Sequence, residues 1–152
     1  MVGTFNYQDK DYQINVSDRS IKTFNNEHYY LTISGVGQIV RQVLNQMKQD
    51  KKVHFDKIYI STKYYVGGNS LTCNVVGGYD DDYEIIKQFI NHIQGGWFNG
   101  MIDLYEYDNI HPQFKTKDQS FDVEVKYSFC HQGFPYGTKG YFENRMYNER
   151  RN

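Results

Sequence analysis

Apolar residues recur along this chain at two periods, and the switches between them mark its elements. From Lys57 the sequence reads KIYISTKYYVGGNSLTCNVV. Ile58, Ile60, Thr62 and Tyr64 fall on one side of an extended chain, and Tyr59, Ser61, Lys63 and Tyr65 on the other. This is the period of two of a half-buried strand, filled with β-branched and aromatic residues. Val66, Gly67, Gly68 and Asn69 interrupt it, and Gly and Asn tolerate positive φ. Alternation resumes at Leu71, Cys73 and Val75, which predicts a β-hairpin over 58–76.

The helical period flanks this hairpin. Val36, Ile39, Val40, Val43, Leu44 and Met47 trace one apolar stripe, predicting an amphipathic helix from 36 to about 51. Gln38, Arg41, Gln42, Asn45, Lys48 and Gln49 form its expected wet face, with Ser34 as N-cap. Lys48, Lys51 and Lys52 suit the negative end of the helix dipole. A second helix is expected from the run Asp80, Asp81, Asp82 to about residue 94, burying Ile85, Ile86, Phe89, Ile90 and Ile93. Asp81 and Glu84 have the spacing of a capping box, and Gly95 with Gly96 predicts a left-handed stop.

Strand patterns fill the remainder. Tyr12, Ile14 and Val16 alternate with polar residues, 17–20 reads as a turn, and 21–24 is expected to return as a hairpin partner. Residues 25–27 form another turn before the apolar and aromatic stretch 28–33. A strand is expected over 102–107 and a polar loop over 109–120, around Pro112. Phe121, Val123, Val125, Tyr127 and Phe129 then alternate with Asp122, Glu124, Lys126 and Ser128, the cleanest strand pattern in the chain. Beyond 132, Gly133, Pro135, Gly137 and Gly140 break regular structure, ahead of a possible short helix over 143–151.

The elements predict one α+β domain over 1–152: an antiparallel sheet of four to six strands with two amphipathic helices packed on one face. The expected core is Ile39, Val40, Val43, Leu44, Ile58, Ile60, Leu71, Val75, Ile86, Phe89, Ile90, Ile102, Leu104, Val123 and Val125.

Composition narrows the function. No run of about 18 apolar residues occurs, so no membrane span is expected. The first residues lack the basic and apolar regions of a signal peptide. The only cysteines, Cys73 and Cys130, lie in strand patterns without CxxC spacing, which favours reduced thiols in a cytoplasmic protein. Seventeen basic against 18 acidic residues give a net charge of −1, which neither steers the whole chain to nucleic acid nor mimics it. Aromatic residues make up 17%, more than one core absorbs, so several Tyr are expected at the surface as contact anchors. Strand propensity accounts for part of this excess.

Catalytic readings find little support. The histidines at 28, 54, 92, 111 and 131 form no HxH, HxxxH or HExxH pair, and no GxSxG elbow or phosphate loop is present. The best carboxylate pair is Asp103 with Glu106 or Asp108 near His111, yet Asp103 and Glu106 face opposite sides of a strand. The three aspartates at 80–82 lack calcium-loop spacing. The expectation is a non-enzymatic protein with no cofactor and no metal.

Several short elements appear in an order that resembles a known family. They are IVRQVLNQMK in the first helix, the YISTKYYVGGNSLTCNV hairpin, IQGGWFNGMIDLYEY and VEVKYSFC. Val40, Arg41, Tyr65, Gly67, Gly68, Ser70, Phe98, Gly100, Met101, Asp103, Tyr127, Phe129 and Cys130 occupy the matching positions. Together they resemble the large polyvalent protein-associated domain numbered twenty-nine, over about 36–132. The segment 50–54 and Gly77-Gly78 depart from that pattern, and 1–35 and 133–152 lie outside it. The resemblance implies a protein of phages or conjugative elements, acting in the host cytoplasm against a defence protein or nuclease complex such as a CRISPR effector. Expected partner contacts are Tyr59, Lys63, Tyr65 and Asn69 on the hairpin and Arg145, Tyr147, Arg150 and Arg151 in the tail. The alternative is a nucleic-acid-binding accessory module, since Lys63, Tyr64 and Tyr65 interleave charge with aromatics and the tail arginines suit phosphates.

Overall fold

The computed structural model describes residues 1–24, 28–99, 104–107 and 111–133. They form an α+β fold. β1 (Val2–Tyr7), β2 (Lys10–Asn15), β9 (Gln113–Lys115) and β10 (Ser120–Asp122) make an antiparallel four-stranded sheet in the order β10-β9-β1-β2. β5 (Lys57–Tyr65), β6 (Gly68–Val76) and β11 (Tyr127–Gln132) make a second sheet in the order β11-β6-β5, with β11 parallel to β6. β3 (Ile21–Phe24) pairs with β4 (His28–Leu31), and β7 (Gly96–Asn99) with β8 (Leu104–Tyr107), both antiparallel. The helices are α1 (Ile33–Gln49) and α2 (Asp80–His92).

α1 buries its predicted stripe: Val36, Ile39, Val40, Val43, Leu44 and Met47 are all 3% exposed or less. It begins earlier than the stripe implies. Thr32, not Ser34, is the N-cap, its Oγ1 accepting from the Gly35 N–H at 3.3 Å. Part of the expected wet face is not wet. Gln42 accepts from the Asn15 N–H at 2.9 Å and donates to the Asn15 carbonyl at 2.8 Å. Gln46 donates to the Gln13 carbonyl at 2.7 Å, and Gln38 accepts from the Ser17 N–H at 2.8 Å and donates to Ser20 Oγ at 2.8 Å. The spacing explains the fit. Four helical residues rise about 6 Å and two strand residues about 6.7 Å, so glutamines at i, i+4 and i+8 track alternate backbone groups of a strand. The edge of β2 is thereby closed by side-chain amides.

α2 also shifts its cap. The box expected between Asp81 and Glu84 is made by Asp82, whose carboxylate accepts from the Tyr79 N–H and the His54 N–H, each at 2.9 Å. The chain enters through Gly77 and Gly78, both at positive φ; a Cβ on Gly78 would lie 2.3 Å from the His54 carbonyl oxygen. Ile86, Phe89, Ile90 and Ile93 are fully buried, but Ile85 is 36% exposed and leaves the stripe. The helix stops at His92 without a left-handed glycine at 95. Instead the chain is drawn off by Val125, whose N–H donates to the Ile93 carbonyl and whose carbonyl accepts from Gly95, both at 2.9 Å.

Three strand expectations change. Residues 21–24 pair with β4, while the partner of β2 is β1, turned by Gln8 and Asp9 at positive φ. The loop around Pro112 contains β9, which pairs Phe114 with Phe5 and buries both completely. The stretch 121–129 is not one strand. β10 belongs to the first sheet, 123–126 crosses between the sheets, and the bend at Lys126 inverts which parity faces inward. The expected core is otherwise buried, with Ile58 and Ile60 half-buried and the Ile102 and Leu104 side chains outside the described residues. Phe5, Tyr12, Ile14, Val16, Phe55 and Phe114 are among the residues that join it.

Val43→Asp and Phe89→Asp each place an unpaired charge in this core and are expected to abolish cooperative melting; calorimetry checks this. The N–H of Tyr79, then that of His54, hold the Asp82 carboxyl below its ordinary 3.8. A depressed carboxyl stabilises the fold above its unfolded value and loses that contribution as pH falls through its folded value. Asp82→Ala is therefore expected to cost about 1 kcal/mol at neutral pH, typical of a helix cap, with the gap to wild type closing below pH 3.8. Urea titrations across pH measure it.

Candidate functional site

Among the described residues, the second sheet has one face packed on both helices and one that neither helix covers, here called the open face. Leu71, Cys73 and Val75 of β6 point inward and are 1% exposed or less, and their register partners Thr62, Ile60 and Ile58 on β5 share that side. Both helices lie there. A Cβ on Gly37 of α1 would meet Thr62 Cγ2 at 3.0 Å, and Tyr83 of α2 donates to the Cys130 carbonyl at 2.8 Å.

Register builds the open face in rows. Tyr127, Ser70 and Lys63 lie side by side; then Phe129, Thr72 and Ser61; then His131, Asn74 and Tyr59. Val76 with Lys57, and Gly68 with Tyr65, extend it at either end. Aromatic rings thus stand on the two outer strands and hydroxyl or amide groups on the central one. Tyr59, Tyr65 and Phe129 are 43%, 40% and 49% exposed. None of these positions carries a carboxylate, in a chain with 18 acidic residues. At the centre, Asn74 Oδ1 is buried and has no hydrogen-bond partner among the described residues.

The predicted contacts divide accordingly. Tyr59, Lys63 and Tyr65 share the open face. Asn69 is committed to structure: its Oδ1 accepts from the Lys126 N–H at 2.8 Å, and its carbonyl accepts from the Tyr65 hydroxyl at 3.4 Å. Lys126 Nζ donates to the Gly67 carbonyl at 2.6 Å, so the hairpin tip is tied to the start of β11. The turn itself is Val66 and Gly67, the latter at φ 89°. Tyr64, on the same side of β5 as Ile58 and Ile60, is 85% exposed, because it lies past the end of the buried stripe. Arg145, Tyr147, Arg150 and Arg151 lie outside the described residues, as do Asp103 and Asp108.

Sequence reasoning missed Tyr127, Phe129 and His131 as surface groups. Unbroken alternation from Phe121 placed Tyr127 and Phe129 on the dry side, and no residue at 123–126 announces the change of parity.

Chemistry beyond contact finds no constellation here. His111 Nδ1 stands 3.0 Å from Glu124 Oε2, an ion pair when the imidazole is protonated. His92 is exposed, its ring 5.1 Å from that of Tyr7. The recess between α1 and β5 holds Arg41 with Ser34, Gln38, Gln42 and Thr62, and no acid or base faces Arg41 there. Among the described residues no group of three His, Cys, Asp or Glu is placed to hold a metal ion. Comparison of the chain with protein-family models, curated proteins and solved structures returns no match.

Asn69→Ala is expected to cost about 1–2 kcal/mol by leaving the half-buried Lys126 N–H without its acceptor. Faster amide exchange at Lys126 and across the hairpin tip, with α1 unchanged, is the expected reading.

Proposed function

We propose that this chain is a non-enzymatic binding protein whose working surface is the open face of the β11-β6-β5 sheet. The reading rests on one observation: Tyr59, Tyr65 and Phe129 stand exposed on a face that both helices leave uncovered. Exposed aromatics on a rigid sheet supply large contact area at low entropic cost, which is how a few anchors come to dominate a protein interface. The resemblance noted from the hairpin and helix motifs supplies the setting. The partner is a defence protein of the host, a nuclease complex such as a CRISPR effector, met in the cytoplasm and blocked by direct contact. Among the described residues no helix is long and apolar enough to cross a membrane.

A second reading has its own support. Lys57, Lys63 and His131 share the face with the aromatics. Successive rows lie about 6.7 Å apart, a spacing on which unstacked bases can be received. This favours a nucleic-acid-binding accessory module over a protein partner only if binding is strongly salt-dependent.

The two readings separate in one experiment. Purified protein is titrated with random single- and double-stranded oligonucleotides across a salt series, beside capture from host lysate with and without nuclease treatment. The expected result is weak oligonucleotide binding at physiological salt and a defence protein retained after nuclease treatment. Tyr59→Ala combined with Phe129→Ala is expected to weaken that capture at least tenfold without lowering the melting temperature. Submicromolar oligonucleotide binding with a steep salt slope, and nothing captured after nuclease treatment, replaces the first reading with the second.

A further inference from the structure

On the inner side of the same sheet, Cys73 of β6 and Cys130 of β11 are direct register partners across the parallel pair, and both are free thiols. Directly opposed residues of adjacent strands stand about 5 Å apart, within the Cα separation of about 4.4–6.8 Å that a disulfide spans. As register partners of adjacent strands, they direct their side chains to the same side of the sheet. Cys73 is buried and Cys130 half-buried, so Cys130 is the more accessible of the two.

We propose that Cys73 and Cys130 form a peroxide-sensitive dithiol site, whose oxidation links β11 covalently to β6 beneath the open face. The surroundings divide the roles. The neighbouring Cys73 thiol, with Lys87 of α2, pulls the Cys130 thiol below its ordinary 9.0 against burial and Glu84. The Cys130 thiol and burial push the Cys73 thiol up, against Arg41 of α1. Cys130, the less buried of the two, is assigned the attacking role and Cys73 the resolving one.

The Cys130 sulfur attacks one oxygen of hydrogen peroxide, the O–O bond breaks, and hydroxide leaves with its electron pair. This gives a sulfenic acid at Cys130. Cys73 then gives up its proton, its sulfur attacks the Cys130 sulfur, and the S–O bond breaks to release water. Two thiols lose two electrons and one peroxide becomes two waters. Cys130 lies between Phe129 and His131, so the link fixes the strand that presents both to the open face.

The test uses the full chain at low micromolar concentration, treated with hydrogen peroxide. Its only cysteines are these two, so counting thiols after denaturation reads the site directly. The expected outcome is paired loss of both thiols, a 73–130 linked peptide by mass spectrometry and an unchanged monomer on a non-reducing gel. The melting temperature should rise by about 5–10 °C and return with dithiothreitol. Cys73→Ser is expected to stop at a sulfenic acid on Cys130 that dimedone traps. Thiols that survive peroxide in the wild-type chain, further oxidation of Cys130 to a sulfinic acid without a linked peptide, or links only between chains would each overturn the proposal.

Discussion

The helix α1 packs against both main sheets, and it does so with two different chemistries. Its apolar stripe, from Val36 to Met47, fills the interior, while Gln38, Gln42 and Gln46 bind the outer backbone of β2 and the turn that follows. Burial alone would leave the helix free to slide along an apolar surface. The glutamine ladder sets its register against β2, because each amide must meet a particular carbonyl or N–H. From the other flank, the Cβ-less surface at Gly37 lets β5 approach through Ile60 and Thr62. The hairpin is therefore positioned relative to the first sheet by α1.

That placement decides which surface is left over. α1 and α2 both occupy the inner side of the β11-β6-β5 sheet, so neither of them buries its outer side. The aromatics there are not misplaced core residues. They alternate with an inner set that is fully paired with the core, as a one-sided sheet requires. Charge is partitioned as well: three carboxylates gather at the α2 start, while the open face carries lysines and a histidine.

How far the sequence revealed this depends on the range of the interaction concerned. The α1 stripe and the 57–76 hairpin were legible because each is a local periodicity reinforced by burial. The α+β class followed from them. Caps were legible in kind but displaced: Thr32 replaces Ser34 and Asp82 replaces Asp81, since neighbouring residues of like chemistry compete and tertiary contacts choose. The reading of Gln38 and Gln42 as solvated failed for a different reason. Their partners are backbone groups of another element, which leave no mark on side-chain periodicity. The bend at Lys126 and the strand at Gln113–Lys115 escaped similarly. Both are imposed by distant partners, β6 and β1, so Tyr127, Phe129 and His131 of the candidate site could not be placed from pattern alone.

The parallel pairing of β11 with β6 bears on how the molecule comes into being. β6 ends at Val76 and β11 begins at Tyr127, so α2 and everything after it must be laid down before the third strand can arrive. The hairpin is local and forms early, whereas closing a loop of that length is slow. Through that interval β6 presents an unpaired edge of nine residues that a second, equally immature chain can occupy. The three-stranded platform is thus completed only when β11 arrives, and until then the exposed β6 edge makes an immature chain a template for another copy.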